Sequence, residues 1–258
     1  MGTERKKSPV VIPGFHAVRE ALCSGRRQVK EVWVAEGKKG TRIKEILQRG
    51  EAQGIAILYK TSDTLDRLAR GIPHQGIIAL AAPFAYAGFE EVAERSLKGP
   101  GYGLILAADH ITDEGNLGAI IRGAAFFGVQ GLVLPKNRSA RVTPGVLKRS
   151  SGAFVHLPIA QVVNLGRALD LLRKKGFWII GTAGEVSESI QGFDWNRSVV
   201  LVLGSEEKGL SHGIRERCDQ LVSIPGTGRV ESLNVSVACG VILAEINRQR
   251  RKERDVMR

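Results

Sequence analysis

The segment SVVLVLG, residues 198–204, is an unbroken apolar run that stops at a glycine. A strand with one face in water alternates polar and apolar side chains. A run of valine and leucine with no such alternation needs apolar cover on both faces, as in a parallel sheet between two layers of helix. Runs of the same kind occur at YGLILAADH (102–110), GLVLP (131–135), FWIIGTA (177–183) and QLVSIP (220–225). Helical segments are expected between and after them, near 117–127, 143–150, 162–175 and 234–248. This part of the chain therefore reads as an α/β domain built on a parallel sheet.

The N-terminal third shows the alternation on a smaller scale. A helix is expected over Phe15–Cys23, a strand in VKEVWVAE (29–36), a helix over 42–54, a strand in IAILY (55–59), a capped helix from Ser62 and a strand in GIIALAA (76–82). These predict a small α/β/α sandwich. The expected organisation is a flexible basic tail at 1–9, a small domain at 10–83, a linker or loose helix at 84–100, the larger domain at 101–250 and a basic tail at 251–258. His74 and Gln75, in PHQGIIAL (73–80), suit either an RNA contact or a buried structural turn.

At 258 residues the chain has room for two domains, and 43% hydrophobic residues can fill two cores. The net charge of +12 favours a polyanionic partner, because lysine and arginine gain affinity for nucleic acid by displacing phosphate counterions. Three widely separated cysteines without a C-x-x-C pair read as reduced thiols of a cytoplasmic protein. The five histidines lack metal-ligand spacing, so no metal is expected. No apolar stretch is long enough to span a membrane, and the start, MGTERKKSPVVIPG, lacks the apolar run of a signal peptide.

Three polar clusters follow the ends of predicted strands, where open α/β sheets place ligands. In DHITDEGNLGAIIRGAAFFG (109–128), Asn116 can cap the next helix, while Arg122 either serves the site or pairs with Asp109 or Asp113. In LVLGSEEKGLS (201–211), the G-x4-G spacing of Gly204 and Gly209 resembles a phosphate loop, but Leu210 occupies the lysine position. What remains is a glycine turn suited to backbone contact with a flat ligand, with Glu206 at its lip as a functional or a merely solvated residue. In IPGTGRVESLNVSVA (224–238), Ser232 fits a helix N-cap, whereas Glu231 and Asn234 have no capping explanation.

Taken together, in this order, the three clusters resemble the three motifs of the SpoU family of RNA ribose 2'-O-methyltransferases, of the SPOUT class, over roughly residues 102–250. GFHAVREAL (14–22) and PHQGIIAL resemble that family's substrate-binding domain, a combination similar to the 23S rRNA guanosine-2'-O-methyltransferases of the RlmB type. The resemblance implies an L30e-like RNA-binding domain, a SPOUT domain with a C-terminal trefoil knot, a homodimer, and S-adenosyl-L-methionine (AdoMet) as methyl donor. It assigns Asn116, Arg122, Glu206, Ser232 and Asn234 to catalysis and Thr182, Ala183, Leu203, Gly204, Ile224 and Leu233 to the donor. The expected reaction is methylation of a guanosine 2'-hydroxyl in 23S rRNA. The alternatives are a tRNA ribose methyltransferase and a non-catalytic RNA-binding protein on the same fold. A dinucleotide oxidoreductase is disfavoured by the lack of a G-x-G-x-x-G turn after the first strand.

Overall fold

The computed structural model describes residues 9–24, 29–99 and 101–256. Of the expected N-terminal tail, residues 1–8 lie outside the described residues, as do 257 and 258 at the other end. The chain forms two compact units, one of residues 1–85 with 142–156 and the other of 86–141 with 157–258.

The first unit begins with β1 (Val10–Pro13), which has no counterpart among the expected strands, and continues through α1 (Phe15–Cys23), β2 (Val29–Ala35), α2 (Thr41–Ala52), β3 (Ala56–Lys60), α3 (Ser62–Ala69) and β4 (Ile77–Ala81). Its sheet has the order β1-β4-β2-β3, with β2 and β3 parallel and the other pairs antiparallel. Side-chain alternation divides β4 between two apolar layers. Ile78 packs with Leu65 and Ala69 of α3, while Ile77, Ala79 and Ala81 are buried on the opposite face, consistent with the α/β/α reading. His74 is a structural residue. Its Nδ1 accepts from the Gly76 amide at 3.1 Å, so Nε2 carries the proton and donates to Asp66 at 3.0 Å. That arrangement holds Gln75 in a left-handed turn, φ 59°, ahead of β4.

The second unit opens with α4 (Phe89–Lys98), a well-formed helix within the span read as a linker or loose helix. Its Val92 and Ala93 are buried against the sheet. The chain then passes through β5 (Leu104–Ala108), α5 (Glu114–Phe126) and β6 (Gly131–Pro135). Helix α6 (Pro144–Arg149) and a short 3-10 turn group with the first unit. The chain returns as β7 (Ile159–Val162), α7 (Leu165–Lys174), β8 (Trp178–Thr182), β9 (Val199–Leu203), α8 (His212–Arg215), β10 (Gln220–Val222) and α9 (Val235–Val256).

The six strands are parallel throughout, in the order β10-β8-β9-β5-β6-β7. The unbroken apolar runs have the predicted cause. Ile105, Ala107, Val200 and Val202 pack in one core with Leu165, Leu169 and Leu172 of α7. Leu104, Leu106, Leu201 and Leu203 alternate with them and are equally buried. Covering each such leucine contributes about 1.5–3 kcal/mol, so neither face tolerates a polar residue. Strand β7 was not expected from the sequence. Only Ile159 and Ala160 of its four residues are buried, leaving too short an apolar run to register. Among the described residues no helix is long and apolar enough to cross a membrane.

Strand order reverses between β5 and β9. From β5 the chain builds outward through β6 and β7, then crosses to β8 and inserts β9 against β5. The loops leaving β5 and β9 therefore diverge at their carboxyl ends and leave a crevice between them, the usual ligand position in such sheets.

Candidate active site

Three loops meet at this end of the sheet. The first, 109–113, leads into α5. Asp113 is the N-cap, its Oδ1 accepting from the Asn116 amide at 2.7 Å. The helix thus starts at Glu114, earlier than the sequence suggested, and Asn116 is not the cap. Its side chain is left to act across the crevice.

The second loop, 204–211, is a tight turn. Ser205 and Gly209 exchange backbone hydrogen bonds of 2.9 Å in both directions. A Cβ at Gly204 would overlap the backbone of Gly209 and Leu210, so the first position of the turn requires glycine. The closure projects Glu206, Glu207 and Lys208 into solvent at its tip.

The third loop leads into α9, and its cap differs from the sequence reading. Asn234, not Ser232, caps the helix. Its Oδ1 accepts from the amides of Ser236 at 2.9 Å and Val237 at 3.3 Å, and from the Ser236 hydroxyl at 2.6 Å. The Asn234 amide nitrogen donates to Asn116 Oδ1 at 2.9 Å and to Glu206 Oε1. Glu206 Oε1 also receives the Val235 amide at 3.4 Å. One side chain thus starts a helix and ties together all three loops.

Between the first two loops lies a cavity of about 470 Å³, bordered among others by His110, Asn116, Arg138, Glu206, Lys208 and Val235. Neither Arg122 nor Ser232 borders it; both are exposed, Arg122 on α5 and Ser232 in the loop before α9. Asp109, a sequence-level partner for Arg122, is only 2% exposed and is committed elsewhere. Its Oδ2 accepts from the Ser211 amide at 2.7 Å and its Oδ1 from His110 Nδ1 at 2.6 Å. His110, Arg138 and Lys208 were not among the sequence candidates. The available signal was an Asp-His pair directly after a buried strand.

The residues expected to hold a donor lie at the ends of three neighbouring strands. Thr182 Oγ1 donates to the Val202 carbonyl at 3.3 Å, and the Ala183 amide donates to the Val222 carbonyl at 3.0 Å. Leu203 and Gly204 are buried, and Ile224 is half-buried. A Cβ at Gly184 would stand 4.0 Å from the Glu231 carbonyl, so the loops after β8 and before α9 run side by side. Residues 225–234 are all exposed, including Val230 at 76% and Leu233 at 48%. Exposed apolar side chains beside a strand end suit a flat heteroaromatic ligand.

The fold and these linked loops define an α/β protein with a ligand crevice at the point where the order of a parallel sheet reverses. The chain matches the SpoU rRNA Methylase family over residues 103–244 and the RNA 2'-O ribose methyltransferase substrate-binding family over 11–87. It is 38% identical, over 93% of its length and 96% of the relative's, to a protein of Staphylococcus aureus strain MSSA476 provisionally named a TrmH family tRNA/rRNA methyltransferase. A Staphylococcus haemolyticus relative of the same description is 35% identical over 95% of this chain and 98% of its own. The crystal structure of the SpoU methyltransferase AviRb from Streptomyces viridochromogenes in complex with the cofactor AdoMet superposes with a TM-score of 0.79 at 25% identity, covering 97% and 95% of the two chains. The chain belongs to the SpoU methylase family, in its TrmH-type branch.

Proposed function

We propose that the protein transfers a methyl group from AdoMet to the ribose 2'-hydroxyl of an RNA nucleotide, with a guanosine of 23S rRNA as the target. The observation that carries this reading is the Asn234 bridge, which unites Asn116 and Glu206 from positions far apart in sequence. A decayed, non-catalytic relative would have little reason to keep three polar side chains in register. The alternative target, a tRNA ribose, shares the chemistry and differs in the RNA alone.

AdoMet supplies an activated methyl carbon on a sulfonium. The chain's own task is alignment, charge stabilisation and proton removal. Leu203, Ile224 and Leu233 supply apolar walls for an adenine, and backbone groups near Thr182, Ala183 and Gly204 supply its polar contacts. Asn116, Ser232 and Asn234 orient the ribose, with Glu206 fixing Asn234. Arg122, on α5 outside the cavity, has the role of clamping a target phosphate, since a guanidinium does not give up its proton readily enough to act as base.

We also infer a homodimer. Val237 and Val241 on α9 and Phe126 on α5 are 52%, 38% and 82% exposed, an apolar surface suited to a second copy. A C-terminal trefoil knot accords with the passage of the 223–234 segment beside the loop after β8.

The experiment is incubation with radiolabelled AdoMet and either 23S rRNA or bulk tRNA, followed by mapping of the methylated ribose. Label in a 23S guanosine is the expected result; label in tRNA alone selects the alternative, and no label in either refutes the assignment. Arg122→Lys should keep AdoMet affinity and lose most turnover, and near-wild-type turnover would remove Arg122 from the site.

A further inference from the structure

Resting on the proposed methyl transfer, we infer that His110 is a catalytic residue, the base that takes the proton from the ribose 2'-hydroxyl, and that Asp109 is its positioning residue. The pair stands where β5 ends, at the point of strand-order reversal, and His110 borders the same cavity as Asn116 and Glu206.

The hydrogen bonds determine which ring nitrogen is basic. Asp109 as a carboxylate only accepts, so the 2.6 Å contact requires the proton on His110 Nδ1. Nε2 then carries the lone pair, and no described residue occupies it. The carboxylate cannot swing away, because its second oxygen is held by the Ser211 amide at 2.7 Å and the group is almost fully buried. An imidazolium formed during the reaction would be stabilised at once by that buried negative charge. A carboxylate that orients an imidazole and leaves its far nitrogen to take a hydroxyl proton is a recurrent solution to general-base catalysis.

Two further observations favour His110 over the other groups around the cavity. Five non-glycine residues among those described have positive φ, and two of them, His110 at 59° and Arg138 at 54°, border this cavity. Strained backbone of this kind concentrates at functional sites. Glu206 is the acidic alternative, but its Oε1 already accepts from Asn234 and Val235, which commits that oxygen to tying the loops together. The charged groups bordering the cavity with His110 are Asp113, Arg138, Glu206, Glu207 and Lys208, with Asp109 behind it. Arg138 and Lys208 suit the phosphates that flank a target ribose.

In the step itself, His110 Nε2 takes the 2'-hydroxyl proton as the oxygen lone pair forms a bond to the sulfonium methyl carbon. The carbon–sulfur bond breaks with its electron pair passing to sulfur. The products are the 2'-O-methyl ribose, S-adenosylhomocysteine and an imidazolium, which returns its proton to solvent.

The test uses full-length wild-type, His110→Gln and Asp109→Asn proteins with unmodified 23S rRNA or tRNA, whichever the wild type methylates. Single-turnover rates are measured against pH, with AdoMet and RNA dissociation constants measured separately. His110→Gln should slow transfer by about 100-fold or more while both affinities stay within about threefold of wild type. The wild-type rate should rise with pH through one inflection that the Gln variant loses. Without RNA or AdoMet, ¹⁵N spectra should show His110 protonated on Nδ1 in wild type, a preference weakened in Asp109→Asn. A Gln variant that keeps its rate or its inflection overturns the assignment, as does a loss confined to RNA affinity or an Nε2-protonated ring in wild type. A wild type that methylates neither RNA refutes the methyltransferase reading, and the role of His110 with it.

Discussion

Asn234→Ala tests the architecture of the site most directly, because this side chain has two separable tasks. Its oxygen caps α9 through the amides of Ser236 and Val237, and its nitrogen bridges Asn116 and Glu206. Loss of an asparagine cap costs about 1 kcal/mol, which in a domain of this size lowers Tm by roughly 2–4 °C. Loss of the donor removes a hydrogen bond to a carboxylate, about 1.5–3 kcal/mol, or about 10- to 150-fold in rate if it acts wholly in the transition state. Serine is as good a cap as asparagine but cannot donate across the crevice, so Asn234→Ser separates the two effects. Differential scanning calorimetry and single-turnover methylation of the two variants form the assay. The alanine variant should lose both Tm and rate, and the serine variant rate alone. A serine variant with wild-type rate would refute the bridge, and an alanine variant with unchanged Tm would refute the cap.

Gly204→Ala should collapse AdoMet affinity and lower Tm, since its Cβ would overlap the backbone of Gly209 and Leu210; isothermal titration calorimetry showing wild-type affinity would contradict the turn geometry. Burial pushes the Cys218 thiol up to about 11 and the Cys239 thiol up to about 12, while Cys23 is exposed. Thiolates are the reactive form, so iodoacetamide at pH 8 should modify Cys23 alone in the native protein and all three cysteines after denaturation, as counted by mass spectrometry. Asp194 is held below the usual carboxylate range by its hydrogen bond from Arg197, so its contribution is present above the unfolded carboxylate value and is lost as pH falls through the folded one. The stability of Asp194→Asn should therefore fall below wild type at pH 7 and converge with it toward pH 2 in denaturant titrations. Charges placed at Val237 and Val241, both exposed in the single chain, should convert the proposed dimer to monomer in light scattering and lower Tm by the stabilisation that dimerisation contributes.

The parallel sheet was legible because double-sided burial leaves a mark in one dimension. Leu201 and Val202 point to opposite faces, and both must be apolar. The same rule explains the omissions. Strand β1 and strand β7 are short edge strands, with two buried residues each, too few for the pattern to emerge. Helix caps were misread for a local reason. Ser232 and Asn234 are both competent N-caps, as are Asp113 and Asn116, and the choice depends on where the helix starts. Tertiary contacts make that choice, since Asn234 and Asn116 also reach each other.

By itself, then, the sequence determined the class of fold, the order of the three polar clusters and the demand for a glycine turn after β9, because apolar periodicity and backbone sterics act between near neighbours. It did not disclose that β9 inserts between β8 and β5, nor that Asp109 holds Ser211 and His110 rather than awaiting Arg122. Asp109 and His110 are chain neighbours, but Asp109 and Ser211 stand far apart in sequence and come within hydrogen-bonding distance only where β9 pairs with β5. A donor's partner at long range depends on the whole sheet, so the catalytic geometry belongs to the tertiary structure.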